Sequence, residues 1–451
     1  MQSFFRCIKN ELLSKQISSN VYSIHRCRYC TDRTGDTSSD IDKSTVGNAT
    51  EKQNEQMRIP KRVLRKIAKL KSESPENSEI KLFLGDKEAN IQRIVGDMVT
   101  PPPPNLQPEF PSDSEKFFNW YRSQSRKSYR PKIDPQNTSI LLFPGQGSQF
   151  VGMGKKLLPY PGVKEIYDAA SEILKYDLLK FCLLGPKSDL DKTIYCQPAV
   201  MVTSIAAIEK LKEDYPEAVE NCVGTAGFSV GEYAALVFAG ALSLEDAVEV
   251  VKVRAEAMQT ASEESHSGMM TAFYDRHAKL GFALHAAREY CQQRLGMHDP
   301  VCRIANYLYP ECKVIAGHEE ALDFVKNNSK EFGIKRLKRL PVSGAFHTEL
   351  MNPAVTPLRN VLQKVELQKP VVPVHSNVDA SQHKKIKLII KNLSKQVHKP
   401  VKWEQIMHVL FSRDKGENFP HTYEVGPGNQ LGILLKMTNA KAHEQYTAVE
   451  V

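Results

Sequence analysis

From residue 139 to the C-terminus, short apolar runs alternate with helix-length amphipathic stretches. Ile140-Leu141-Leu142-Phe143 is an unbroken apolar run closed by Pro144-Gly145-Gln146-Gly147-Ser148-Gln149, which suits a strand buried on both faces and ended by a turn. Helical periodicity fills 163–184 and 197–211, the second stretch opening at Gln197-Pro198. A second strand, 222–226, runs into Gly227-Phe228-Ser229-Val230-Gly231-Glu232 and the apolar helix 233–239. The next helix, 244–262, places Ala247, Val251 and Met258 on one stripe. This alternation predicts an α/β fold, a parallel sheet with helices on both faces. Residues 268–340 follow a shorter rhythm, with strands at 269–273, 312–316 and 334–340 and helices at 278–295 and 319–328. They read as a small α+β unit inserted into a large domain made of 139–267 and 341–451.

Ahead of this region the pattern fails. Residues 1–31 carry Arg6, Lys9, Lys15, Arg26 and Arg28 against the single acid Glu11, with serines and scattered apolar positions. That is the composition of a mitochondrial transit peptide, whereas a secretory signal needs a continuous apolar centre. Residues 32–138 are Ser/Thr/Asp-rich at first, then basic over 61–71, then carry Pro101-Pro102-Pro103-Pro104. They read as a disordered linker extension, too polar for a core and stiffened by the proline run.

Composition narrows the class. Of 451 residues, 41% are hydrophobic and 25% charged, the balance of a globular enzyme. No apolar run approaches the roughly 18 to 20 residues that cross a bilayer. Nine cysteines are scattered, and Cys27-Arg28-Tyr29-Cys30 has no second pair at metal-binding distance, so neither a disulfide framework nor a metal site is expected. The net charge of +9 lacks the motifs that would point to nucleic acid.

Four features carry candidate chemistry. Gly227-Phe228-Ser229-Val230-Gly231 is either an ordinary turn before a helix or a nucleophile turn. In the second case Ser229 is lifted clear of the backbone, and the Val230 amide sits at a helix N-terminus that favours negative charge. The loop at Gly145 and Gly147 does not match dinucleotide or P-loop spacing, because Phe150 stands at the third glycine position and no Gly-Lys-Ser/Thr follows. It offers backbone amides to an anion instead. Arg254 lies on the apolar stripe with Val251 and Met258, so it needs a partner: a structural ion pair or a ligand carboxylate. His347, in Gly344-Ala345-Phe346-His347, follows a strand-to-loop transition and is one of 13 histidines.

In order along the chain, Phe143-Pro144-Gly145-Gln146-Gly147-Ser148-Gln149, the Ser229 turn, Arg254, Gly344-Ala345-Phe346-His347, Gln396 before Pro400-Val401-Lys402-Trp403, and Gly426-Pro427-Gly428 resemble the malonyl-CoA:acyl carrier protein transacylases, most closely the mitochondrial type. The resemblance covers about 139–451. One departure is Phe228, where many bacterial relatives have histidine. The family implies an α/β-hydrolase-like parallel-sheet core with a ferredoxin-like subdomain, and a matrix enzyme of mitochondrial fatty acid synthesis. It implies Ser229 as nucleophile, His347 as general base, the backbone carbonyl of Gln396 as its orienting group, and the amides of Gln146 and Val230 as oxyanion hole. Arg254 would hold the malonyl carboxylate, and Phe346 would crowd an α-methyl branch. Malonyl-CoA and acyl carrier protein are the implied partners, CoA serving as substrate with no cofactor. A monomer is expected, with Lys335, Arg336, Lys338 and Arg339, or Lys384, Lys385 and Lys387, facing the acidic carrier.

Two other classes compete. A serine esterase or thioesterase would want an acid between serine and histidine, and Asp275, Glu289 and Asp299 are available. It leaves Arg254 unexplained. An inactive scaffold binding RNA through its basic surface fits poorly with the retained Ser229 and His347.

Overall fold

The computed structural model describes residues 133–414 and 416–451. The transit peptide and nearly all of the linker expected at 1–138 lie outside the described residues.

Among the described residues nine strands form two sheets. In chain order they are β1 (Ser139–Phe143), β2 (Cys222–Gly227), β3 (Ser267–Tyr274), β4 (Cys302–Tyr309), β5 (Cys312–His318), β6 (Ile334–Arg339), β7 (Val374–His375), β8 (His421–Val425) and β9 (Tyr446–Val449). The longer helices are α1 (Val163–Leu174), α2 (Thr193–Asp214), α3 (Gly231–Phe238), α4 (Leu244–Glu263), α5 (Leu280–Arg294), α6 (Glu319–Asn327), α7 (Ile386–Gln396), α8 (Trp403–Phe411) and α9 (Gln430–Thr438).

The first sheet has the order β7-β2-β1-β8-β9 and every pairing is parallel. All five residues of β1 are buried, as expected for a central strand covered on both faces. Alternate residues point to opposite cores: Leu141 and Phe143 pack with α2, α3 and α4, while Ile140 and Leu142 pack with Trp403, Ile406 and Met407 of α8. Phe143 pairs with Gly227, so β1 and β2 end at the same height. Their following loops leave side by side, at the carboxyl edge where open α/β sheets place their ligands.

The second sheet has the order β4-β5-β3-β6, all antiparallel, with α5 and α6 crossing over it. It has its own apolar core, built on Met270, Leu284, Ile315 and Leu322. It is pinned to the larger part where Tyr307 N–H donates to Val401 O at 2.8 Å and Val401 N–H to Ala305 O at 2.9 Å.

Two expected helices change. The 163–184 helix breaks at Lys175, which adopts φ +66° and closes α1, and Asp177 then caps Leu178–Leu184 by accepting from Lys180 N at 2.9 Å. The helix expected to open at Gln197-Pro198 opens at Thr193. Pro198 lies in its second turn, close enough to the start that its missing N–H costs one bond rather than the helix. Gln197 is thereby turned inward and buried.

Candidate active site

The turn after β2 is fixed by what cannot fit there. A Cβ on Gly227 would lie 1.9 Å from the Gly231 carbonyl carbon, and one on Gly231 would lie 2.3 Å from Phe143 O. Both glycines are therefore required by close packing of strand against helix. Ser229 between them has φ +52°, a left-handed conformation unusual for a residue with a side chain. The Phe228 ring packs against Trp403, with ring centres 5.3 Å apart, so the position that departs from the bacterial pattern is part of the apolar core.

His347 also sits in left-handed backbone, at φ +62°. Its main-chain N–H donates to Val397 O at 3.0 Å, which holds the loop after β6 against the end of α7. Its ring spans two groups: Nε2 lies 3.0 Å from Ser229 Oγ and Nδ1 lies 2.7 Å from Gln396 O. A carbonyl only accepts, so Nδ1 carries the proton and Nε2 is free to receive the serine's. Burial, reinforced by the Arg254 charge, pushes the imidazole down to about 4. The ring is therefore neutral across the physiological range.

Arg254 is fully buried on α4. Nη1 donates to Gln197 Oε1, while Nη2 donates to Ser229 Oγ at 3.0 Å and Gln396 Oε1 at 2.9 Å. Its carbon centre lies 5.6 Å from the Tyr233 ring centre, and Nε has no partner among the described residues. Every acceptor the guanidinium contacts is neutral. Of the two readings open for this arginine, a structural ion pair is not what the side chain makes.

Ser229 N–H donates to Asn377 Oδ1 at 2.7 Å, so it is occupied. The amides of Gln146 and Val230 make no hydrogen bond among the described residues. The Gln146 side chain is tied down, donating to Thr193 Oγ1 at 3.3 Å and accepting from Gln197 at 3.5 Å. Phe346 is buried beside His347 in the main core.

Thus Ser229 with Val230, His347, Arg254, Gln396 and Gln146 come from five separate stretches to one place. The acids named for an esterase do not join them. Asp275 accepts from His277 N–H and approaches Lys335, Asp299 faces His298 on the surface, and His347 Nδ1 is engaged by a carbonyl. Among the described residues no cluster of three His, Cys, Asp or Glu side chains could hold a metal, and no helix is long and apolar enough to cross a membrane. Three side chains at the site carried no sequence signal of their own, Gln197, Asn377 and His383, while Glu232 stood in the serine motif with no role assigned to it.

A family model for the acyl transferase domain matches residues 140–418. The chain is 53% identical over 317 residues to the human "Malonyl-CoA-acyl carrier protein transacylase, mitochondrial", spanning 70% of this chain and 81% of that protein. The solved malonyl CoA-acyl carrier protein transacylase of Coxiella burnetii superposes with TM-score 0.62 at 33% identity, over 71% of this chain and 95% of that one. A malonyl-transacylase solved in complex with its type II polyketide acyl-carrier protein superposes with TM-score 0.61 at 31% identity, over 70% and 96%.

Proposed function

The chain belongs to the malonyl-CoA-acyl carrier protein transacylases of mitochondrial type, and from that membership we propose how its residues carry a malonyl group from CoA to the carrier's phosphopantetheine thiol. Ser229 attacks the thioester carbonyl while His347 Nε2 takes its proton, a transfer worth on the order of 10²- to 10⁴-fold. The same nitrogen returns the proton to the leaving CoA thiolate. The carrier's thiol then attacks the malonyl-serine ester, and Ser229 leaves as the alcohol. Gln396 O keeps the reactive tautomer in place without the stronger imidazolium stabilisation a carboxylate would give.

The free amides of Gln146 and Val230 support an oxyanion hole, each donor contributing on the order of 10²-fold or more. Arg254 receives the malonyl carboxylate, a reading supported by its neutral surroundings and idle Nε. Phe346 limits branching beside the ester. The observation that carries the assignment is the convergence of His347 Nε2 and Arg254 Nη2 on Ser229 Oγ, each at 3.0 Å. A base and a carboxylate receptor on one nucleophile describe an enzyme for dicarboxylic acyl groups.

The parallel sheet with its serine turn supports a hydrolase-like description, and the β-α-β-β-α-β path through β3 to β6 a ferredoxin-like one. The human, mouse and fruit-fly relatives are named as mitochondrial proteins; the matrix is our reading for this chain, as are a monomeric state and carrier steering by the basic edge strand β6. The reading needs no resident cofactor.

The test is intact mass of the full-length enzyme after brief exposure to malonyl-CoA, then after addition of holo acyl carrier protein. A malonyl adduct should form and move to the carrier. An adduct that decays to malonate at the same rate with or without carrier would return the hydrolase reading.

The acid side of the pH profile follows from His347. Because its value in the folded enzyme is about 4, kcat/KM for adduct formation should hold from neutrality down to about pH 5 and fall only near pH 4. An unperturbed histidine would lose it through about 6.5. The same shift destabilises the fold as pH falls from about 6.5 towards 4, since the unfolded chain takes up the proton first. Single-turnover adduct formation across pH reads the first effect, and an acid limb near 6.5 would show that His347 is not a desolvated base.

A further inference from the structure

Glu232, in the first turn of α3, is buried with three donors on its carboxylate. His383 Nε2 lies 2.7 Å from Oε1, while Asn377 N–H at 3.1 Å and the Gln396 side-chain amide reach Oε2. Gln396, the last residue of α7, is buried as well. Its Nε2 also donates to Ser229 O at 3.0 Å, its Oε1 accepts from Arg254 Nη2 at 2.9 Å, and its main-chain carbonyl accepts from His347 Nδ1.

One side chain therefore has only one tolerable orientation. With both N–H bonds committed to Glu232 and Ser229 O, Oε1 must face the guanidinium. Turning the amide over would set Oε1 against a carboxylate and a carbonyl, and an NH₂ group against Arg254, leaving buried donors and acceptors unpaired. The bond to Glu232 is the charge-assisted member of the set and the strongest hold on that orientation.

We propose that Glu232 is a positioning residue for malonyl selectivity: through the Gln396 amide it holds Arg254 against Ser229, although it touches no substrate. The carboxylate supplies negative charge one amide away from a cation whose direct contacts are all neutral. It thereby keeps the guanidinium in the pocket before substrate arrives, without occupying the fork that the malonyl carboxylate needs. Asn377, which bonds both Glu232 and Ser229 N–H, ties the same carboxylate to the nucleophile turn. This inference rests on the transacylase reading.

The variant E232Q keeps the shape of the side chain, and His383 can accept from the new amide in its other tautomer, so the pocket remains satisfied while the charge is lost. In the full-length enzyme the ratio of malonyl to acetyl kcat/KM should fall about tenfold, because a neutral bond is roughly half as strong as the one it replaces. In an R254A background the same change should leave the ratio where R254A alone puts it. An unchanged ratio in E232Q, or a further fall in the double variant, overturns the proposal. If circular dichroism shows that E232Q does not fold, Gln396→Met, which removes both ends of the connecting amide, must lower the ratio instead, and an unchanged ratio there overturns it equally. Wild-type adduct formation in the same series separates the two claims. Its absence condemns the transacylase reading, whereas a normal adduct with unaltered selectivity in the variants condemns only the role of Glu232.

Discussion

Ser229→Ala should eliminate the malonyl adduct and reduce transfer on the order of 10⁶-fold, the scale on which serine hydrolases respond to loss of their nucleophile. The fold should survive. Alanine keeps a Cβ, so the left-handed backbone at φ +52° is no more strained than before. The hydroxyl's departure leaves His347 held by Gln396 O and Arg254 held by Gln197 and Gln396. Loss of the hydroxyl's bonds should cost about 1 kcal/mol, visible as a small shift in the thermal midpoint. Intact mass after exposure to malonyl-CoA decides the matter: an adduct that persists in the variant would remove Ser229 from the nucleophile's role.

Residue pattern reads this molecule well where local geometry decides and poorly where tertiary contact does. β1 announces itself as an apolar run ended by a glycine turn, and β2 by the glycine-flanked serine turn that follows it. β4 was not among the expected strands. Its pairing with β5 shifts register between Ile304 and Asn306 and again between Tyr307 and Tyr309, so the period-two alternation that marks a strand is broken twice. β7 spans only Val374–His375, too short for any pattern. β8 buries Glu424, its penultimate residue, where the carboxylate accepts from Leu431 and Gly432 N–H of α9 and from Tyr446 Oη. A charged residue with three buried donors looks like a surface residue until its partners are known.

The site divides in the same way. The serine turn is legible because sterics demand both glycines there, and Arg254 because a cation on an apolar stripe is conspicuous. Gln197, Asn377 and His383 are uncharged or weakly charged residues brought from distant stretches, and nothing in their neighbours marks them. Glu232 stood in the motif from the outset, but a carboxylate in a first helical turn is ordinarily explained by the helix dipole. Only its bonds to Gln396, Asn377 and His383 give it another meaning.

Arg254→Ala should lower malonyl transfer by about 10²- to 10⁴-fold while acetyl transfer changes far less. In the proposed complex the malonyl carboxylate is buried against the guanidinium, and removing one partner of a buried pair costs about 3 to 5 kcal/mol, at 1.36 kcal/mol per decade. An acetyl group brings no charge into the pocket, so it loses nothing by the substitution. The wild-type enzyme, in turn, must leave Arg254 on its neutral acceptors whenever acetyl is bound, which is how a polar site rejects an analogue lacking the matching group. The substitution also reaches the base. Arg254 is the second cause, after burial, of the low value at His347, so its removal raises that value and moves the acid limb of residual activity to higher pH. Equal losses for malonyl and acetyl, with the acid limb unmoved, would show that the guanidinium supports the fold and selects nothing.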